Sequence, residues 1–243
     1  MAGTRIHLCG RLTAEVDGRR IEDDLPGRQG RLLFAYLAVN RLRPAPRAEL
    51  VDALWGDDAP ASPDAALSAL LSKLRKLVRL EGRSDVRMLL ADAAWLDVDA
   101  AQEALHRAEA AAARGDLPGA YSPARVAQHV AARELLPAEQ APWVEELRRR
   151  LEGVYLRGLE LVAESSLAIG GSEVDTAARA ARALVERAPF RETGYRLLMQ
   201  VLDAQGNRAE ALQLYERLRL VLRDELGATP SQRTQDLHRL FLS

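Results

Sequence analysis

With one cysteine in 243 residues, Cys9, no disulfide can form within the chain. Its place in an alternating apolar stretch makes it small buried filler rather than a redox centre. Aromatic side chains make up only 5% of the sequence, which favours packed leucine- and alanine-rich helices over sheet sandwiches. No apolar run approaches the roughly 20 residues needed to span a bilayer. The N-terminus also lacks the charged-then-apolar pattern of a secretory leader. No membrane partner is expected, and the cytoplasm is the expected compartment. His7, His106, His129 and His238 are scattered, without the spacing that metal ligands need. Neither a Gly-x-Gly-x-x-Gly loop nor a phosphate-binding Gly-x-x-x-x-Gly-Lys-Ser/Thr loop occurs. With no Ser, His and Asp grouping either, no metal, no cofactor and no enzymatic activity are expected. The net charge is −1, so diffuse electrostatic attraction to an acidic polymer is excluded as a general property. Lysine is nearly absent: Lys73 and Lys76 are the two in the chain.

Both fall in residues 64–79, DAALSALLSKLRKLVR, the most informative stretch. Leu67, Leu70, Leu71, Leu74, Leu77 and Val78 recur at the spacing of a helix with one buried stripe. Ser68, Ser72, Arg75, Lys76 and Arg79 fall on the opposite side, with Lys73 toward one flank. Residues 1–100 hold 15 basic and 15 acidic side chains, yet five cations lie between positions 73 and 83 against Glu81 alone. Hydroxyls and cations on one helix face suit the DNA major groove, where Arg and Lys reach guanine edges or phosphates. Periodicity alone fits a solvated bundle helix equally well.

The neighbouring segments decide between the two. Residues 5–16 alternate, and Asp17-Gly18 signals a tight turn, so a short N-terminal antiparallel sheet is expected. Residues 28–40 have helical periodicity with Asn40 as a stop, and residues 48–55 form a second helix just after Pro46. Residues 56–63 read as a loop, with Ser62 or Asp64 as the cap of the basic helix. Residues 86–90 and 95–98 are expected to form a terminal hairpin. Sheet, three helices and hairpin, the third helix basic, make a winged helix-turn-helix.

The order RIHLCGRLTAEVDGRRI, then a helix, then RAELVDALWGDDAPASPDAALSALLSKLRKL resembles the OmpR/PhoB-type winged helix of the SARP family (Streptomyces antibiotic regulatory proteins). The second half, with Glu-Leu-Gly-x-x-Pro at positions 225–230 and the Arg-Ala-Glu-Ala-Leu run at 208–212, looks like that family's bacterial transcriptional activation domain. The expected fold is therefore mainly α. A winged helix-turn-helix (α+β, small sheets) occupies residues 1–98, and an all-α, tetratricopeptide-like domain occupies 99–243. Where many members carry Gln and His on the recognition helix, this chain has Ser68 and Leu70.

In the second half, residues 100–113, 126–135, 144–168, 174–188, 191–204, 209–226 and 231–242 read as helices, punctuated by Gly and Pro. Ala177, Ala181 and Leu184 recur about 34 residues later as Ala211, Tyr215 and Leu218, the period of tetratricopeptide helix pairs. Arg149, Arg182, Arg187, Arg191 and Arg196 are candidate ligands for an anionic small molecule or nucleotide effector through bidentate contacts. Pairing with neighbouring glutamates is the alternative.

The resemblance implies a sequence-specific, DNA-binding transcriptional activator. Homodimers would sit on direct repeats in double-stranded promoter DNA and recruit RNA polymerase through the 56–63 loop. Ser68, Ser72, Lys73, Arg75, Lys76 and Arg79 would meet the duplex. Two alternatives stand beside it. One is a regulator gated by an anionic effector, and the other is an interaction scaffold without DNA binding, favoured by Leu70 and the neutral total charge.

Overall fold

In the computed structural model, which describes residues 3–242, the chain divides into two compact units. One comprises Met1–Ala100 and Arg133–Leu151, the other Ala101–Ala132 and Glu152–Ser243.

The first unit opens with β1 (Arg5–His7), β2 (Thr13–Val16) and β3 (Arg19–Arg20). Asp17 and Gly18 link β2 to β3 with φ values of 51° and 82°. Two consecutive positive φ angles are what a two-residue type I′ hairpin turn requires. Next come α1 (Gly27–Val39), β4 (Ala45–Pro46), α2 (Arg47–Trp55) and α3 (Pro63–Leu74). Asn40 stops α1 as expected: its backbone N–H and its side-chain amide both donate to Tyr36 O. The strands β5 (Leu80–Glu81), β6 (Asp85–Met88) and β7 (Trp95–Leu96) complete two small sheets, ordered β3-β2-β1-β7 and β4-β6-β5.

The sheets differ from the sequence expectation in one respect. The segments around 86–90 and 95–98 do not pair with each other. Strand β6 pairs antiparallel with β5, Leu80 opposite Met88, whereas β7 runs parallel to β1, Ile6 opposite Leu96. Alternation identifies a strand but not its partner. Here the partner of β7 lies some 90 positions away, as the Ile6 and Leu96 register shows. The wing is therefore the β5–β6 hairpin.

Ile6, Leu8, Leu33, Phe34, Leu50, Leu67, Leu71, Leu74 and Met88 are essentially inaccessible to solvent. Among them sits the carboxylate of Asp97, fully buried, which accepts backbone N–H bonds from Leu8, Cys9 and Val98 at 2.9–3.0 Å. Three donors replace the water a buried charge would otherwise lose. Residues 133–151, which the sequence reading counts with the C-terminal domain, pack within this first unit. Gly10 N donates to Glu134 O and Leu136 N to Leu8 O. The Trp143 ring meets Tyr36 edge-on at 5.2 Å, and its indole N–H donates to Ala53 O. None of these contacts joins residues close in sequence, so no local pattern announces them.

Helices α4 (Asp97–Ala113), α5 (Leu117–Ala131), α6 (Pro142–Ile169), α7 (Val174–Arg187), α8 (Glu192–Ala204), α9 (Arg208–Leu226) and α10 (Gln232–Leu242) follow. In the second unit, the repeat positions Ala177, Ala181, Leu184, Ala211, Tyr215 and Leu218 are all buried. Ala181, Leu184, Ala211, Tyr215 and Leu218 share one core with Tyr195, Leu198 and Leu202 of α8. Gly158 on α6 lets α5 approach closely: a Cβ there would lie 3.1 Å from the Gln128 backbone nitrogen. Among the described residues, no helix is long and apolar enough to cross a membrane.

Candidate nucleic-acid interface

Helix α3 begins where Pro63 occupies its first turn, beside the acidic Asp64. A proline there gives up an N–H that has no intrahelical partner, and an acid there faces the positive end of the helix dipole. Ser62 sits at the cap position, but its side chain makes no capping bond. The helix is fixed instead by its leucines. Leu67, Leu71 and Leu74 are fully buried, while Ser68, Ser72 and Lys73 are exposed on the opposite face.

The helix is shorter than the leucine stripe suggests. It ends at Leu74, and Arg75 caps it by donating its backbone N–H to Leu71 O. A tighter turn follows, Lys76 N to Lys73 O and Leu77 N to Leu74 O. Val78 nevertheless stays buried, which is why the apolar spacing runs on past the helix end. Arg75, Lys76 and Arg79 therefore stand on the turn leading into β5, and all three are exposed.

The wing turn leans on this same turn. The Arg75 guanidinium donates to Gly82 O at 2.8 Å. Gly82 has a φ of 86°, and a Cβ there would lie 1.8 Å from Asp85 O, so no other residue fits the hairpin as built. Across the two strands Arg87 pairs with Glu81 at 2.7 Å.

Two residues outside the expected set belong to the same surface. Arg47, the first residue of α2, donates through Nη2 to Ser68 Oγ at 2.8 Å and to Asp64 O at 2.9 Å. Its backbone N–H donates to Ser84 O in the wing turn. One residue thus ties α2, α3 and the wing together and orients the Ser68 hydroxyl. Arg83 lies at the wing tip, and with Arg47, Ser68, Arg75 and Gly82 it lines an open cavity of about 560 Å³. Arg83 was legible as part of the cation run. Arg47 was not, because its partner lies 21 residues away.

Among the described residues, Lys73, Arg75, Lys76, Arg79 and Arg83 form no ion pair. A row of exposed hydroxyls and cations that are not held by carboxylates can bond to phosphate oxygens and base edges.

The five arginines read as candidate effector ligands are not gathered. Arg149 pairs with Glu146, Arg187 with both oxygens of Glu152, and Arg191 with Glu160. Arg182 is exposed on α7. Arg196 bonds to the hydroxyls of Thr193 and Thr234.

Comparison with known proteins gives this geometry its family. Residues 96–242 match the bacterial transcriptional activator domain. The chain is 34% identical to the regulatory protein AfsR of Streptomyces coelicolor, over 98% of its own length but 24% of AfsR. It is thus about a quarter of that relative's length. Against the regulatory protein DnrI of Streptomyces peucetius identity is 28%, covering 98% of this chain and 92% of DnrI. The solved structure of Mycobacterium tuberculosis EmbR in complex with a low-affinity phosphopeptide shares the fold, with a TM-score of 0.85 at 23% identity, over 98% of this chain and 65% of that one. The chain belongs to the SARP family of bacterial transcriptional regulators, a family of regulators and not of enzymes, with its bacterial transcriptional activator domain at residues 96–242.

Proposed function

We propose that this chain is a sequence-specific DNA-binding activator that sits as a homodimer on direct repeats in promoter DNA. Helix α3 and the turn after it enter the major groove, with Ser68, Ser72 and Arg75 toward base edges and Lys73, Lys76 and Arg79 toward phosphates. Arg47 steadies Ser68, and Arg83 meets the adjoining backbone. The loop at 56–62, exposed and carrying Asp57 and Asp58, is offered to RNA polymerase, and the cytoplasm is where such a complex would form. One observation carries the reading: Leu67, Leu71 and Leu74 of α3 are buried, while Lys73, Arg75, Lys76, Arg79 and Arg83 beside them are exposed and, among the described residues, free of ion pairs.

A balanced net charge makes long-range attraction weak, so useful specificity calls for two half-sites bound together. The test is fluorescence anisotropy of the full chain on a direct-repeat promoter duplex and on a scrambled duplex, across a salt series. The repeat duplex should bind more tightly. The logarithm of its affinity should fall linearly with the logarithm of salt concentration, at about 0.9 per phosphate neutralised. Equal affinity for both duplexes, or a flat salt response, would return the winged helix to the scaffold alternative.

A further inference from the structure

A second cavity, of about 710 Å³, lies wholly within the helical unit, between α6, α8 and α10. Its volume falls in the range of about 300–1,000 Å³ typical of small-molecule sites. The charges around it are unusual in how they are left. Glu164 on α6 is half-buried, and among the described residues it has neither a hydrogen-bonded nor an ion-paired partner. Burial pushes its carboxyl above the usual range, and the guanidiniums of Arg157, Arg233 and Arg196 only partly offset this. A carboxylate so placed lacks a donor.

Opposite charge is available on the same walls. Arg233 on α10 is exposed and also unpartnered. Arg196 on α8 is largely buried and spends its hydrogen bonds on the neutral hydroxyls of Thr193 and Thr234. The carboxylate nearest to it, Glu192, is 3.9 Å away and already accepts from Ser231 and Thr234. Burial, then the neighbouring Arg233, holds the Arg196 guanidinium below its ordinary value. Two guanidiniums that feel each other's charge on the wall of one cavity would be relieved by an anion. Leu197 and Leu237 supply apolar wall to the same cavity.

We infer that this cavity binds a small zwitterion, of free amino-acid to short-peptide size. Its ammonium meets Glu164, its carboxylate meets Arg233 and Arg196, and its side chain lies against Leu197 and Leu237. This site is independent of the DNA-binding reading, because it lies in the other unit and shares no residue with α3.

Titration calorimetry of the full chain against the free amino acids and a set of dipeptides and tripeptides tests it directly, without DNA. At least one should bind with a Kd below about 1 mM. The matching amine without a carboxylate, and the matching acid without an ammonium, should each bind at least about tenfold more weakly, since each forfeits a charge-assisted bond. Glu164→Gln and Arg233→Gln should each weaken the zwitterion by a similar factor. Neither residue forms a hydrogen bond or ion pair in the free protein among the described residues, so unliganded melting temperatures should stay close to the parent. No binding by any zwitterion in that range would overturn the proposal. So would binding that survives Arg233→Gln unchanged, or analogues of single charge that bind as tightly.

Discussion

Two cation-rich stretches of this chain look alike in composition and are built for opposite ends. Along α6, Arg148, Arg149, Arg150 and Arg157 each meet a carboxylate: Glu145 and Glu134, Glu146, Glu146 again, and Glu109 with Glu160. Around α3 and the wing, Arg47 and Arg87 meet Asp64 and Glu81, but among the described residues Lys73, Arg75, Lys76, Arg79 and Arg83 meet none. The difference is already written at helical spacing. Glu145 and Glu146 stand three or four residues before Arg148, Arg149 and Arg150, where i,i+3 and i,i+4 pairs form. The positions three and four before Lys73, Arg75, Lys76 and Arg79 hold alanine, leucine, serine or another cation. Paired arginines hold helices to their surroundings, whereas unpaired ones are available to something outside the chain.

The comparison breaks most severely if the support beneath the free cations is removed. Leu71→Ala empties a fully buried site under α3. Urea denaturation should show a loss of about 2–5 kcal/mol, and DNA binding should fall with the fold. A smaller change sharpens it. Arg75→Ala, at an exposed side chain, should lower affinity for the specific duplex by about 1–3 kcal/mol if its guanidinium reads a base. Its urea midpoint should stay close to the parent, because only the bond to Gly82 O is lost. Unchanged anisotropy would remove Arg75 from the interface. Smallest of all is the control on the other stretch. Arg149→Ala breaks an exposed i,i+3 pair and should shift stability by no more than about 0.5 kcal/mol. DNA affinity should not move; a drop like that of Arg75→Ala would erase the distinction between the two stretches.

Much of the fold was legible because helix periodicity is local. The leucine and alanine spacing located α6 through α10 to within about two residues, and the 34-residue echo fell on side chains that share a core. Helix α5 was harder. It starts at Leu117, nine residues before the stretch expected to be helical, and it holds both Pro118 and Pro123. Pro118 sits in the first turn, where a missing N–H costs nothing, and Asp116 caps that turn by accepting from Gly119 N. The partner of β7 and the role of Arg47 were illegible for a different reason. Both depend on chain segments that meet only after folding. For the interface, residue type and face were readable, but the helix end was not. Leu77 and Val78 continue the apolar rhythm whether the backbone is helical or tightly turned, so Arg75, Lys76 and Arg79 were expected on a helix and stand on the turn beyond it.

The interlacing of residues 133–151 with the first unit bears on how this regulator can be taken apart. A fragment ending near position 98 would leave Tyr36 without its Trp143 neighbour and Ala53 O without the indole donor. It would also strip Leu8 O and Gly10 N of their backbone partners. Such a fragment would expose apolar surface and raw strand edge, and it would be prone to self-association. Trading the proposed DNA-reading part between relatives thus means moving two separate stretches of the gene together, residues 1–100 and 133–151.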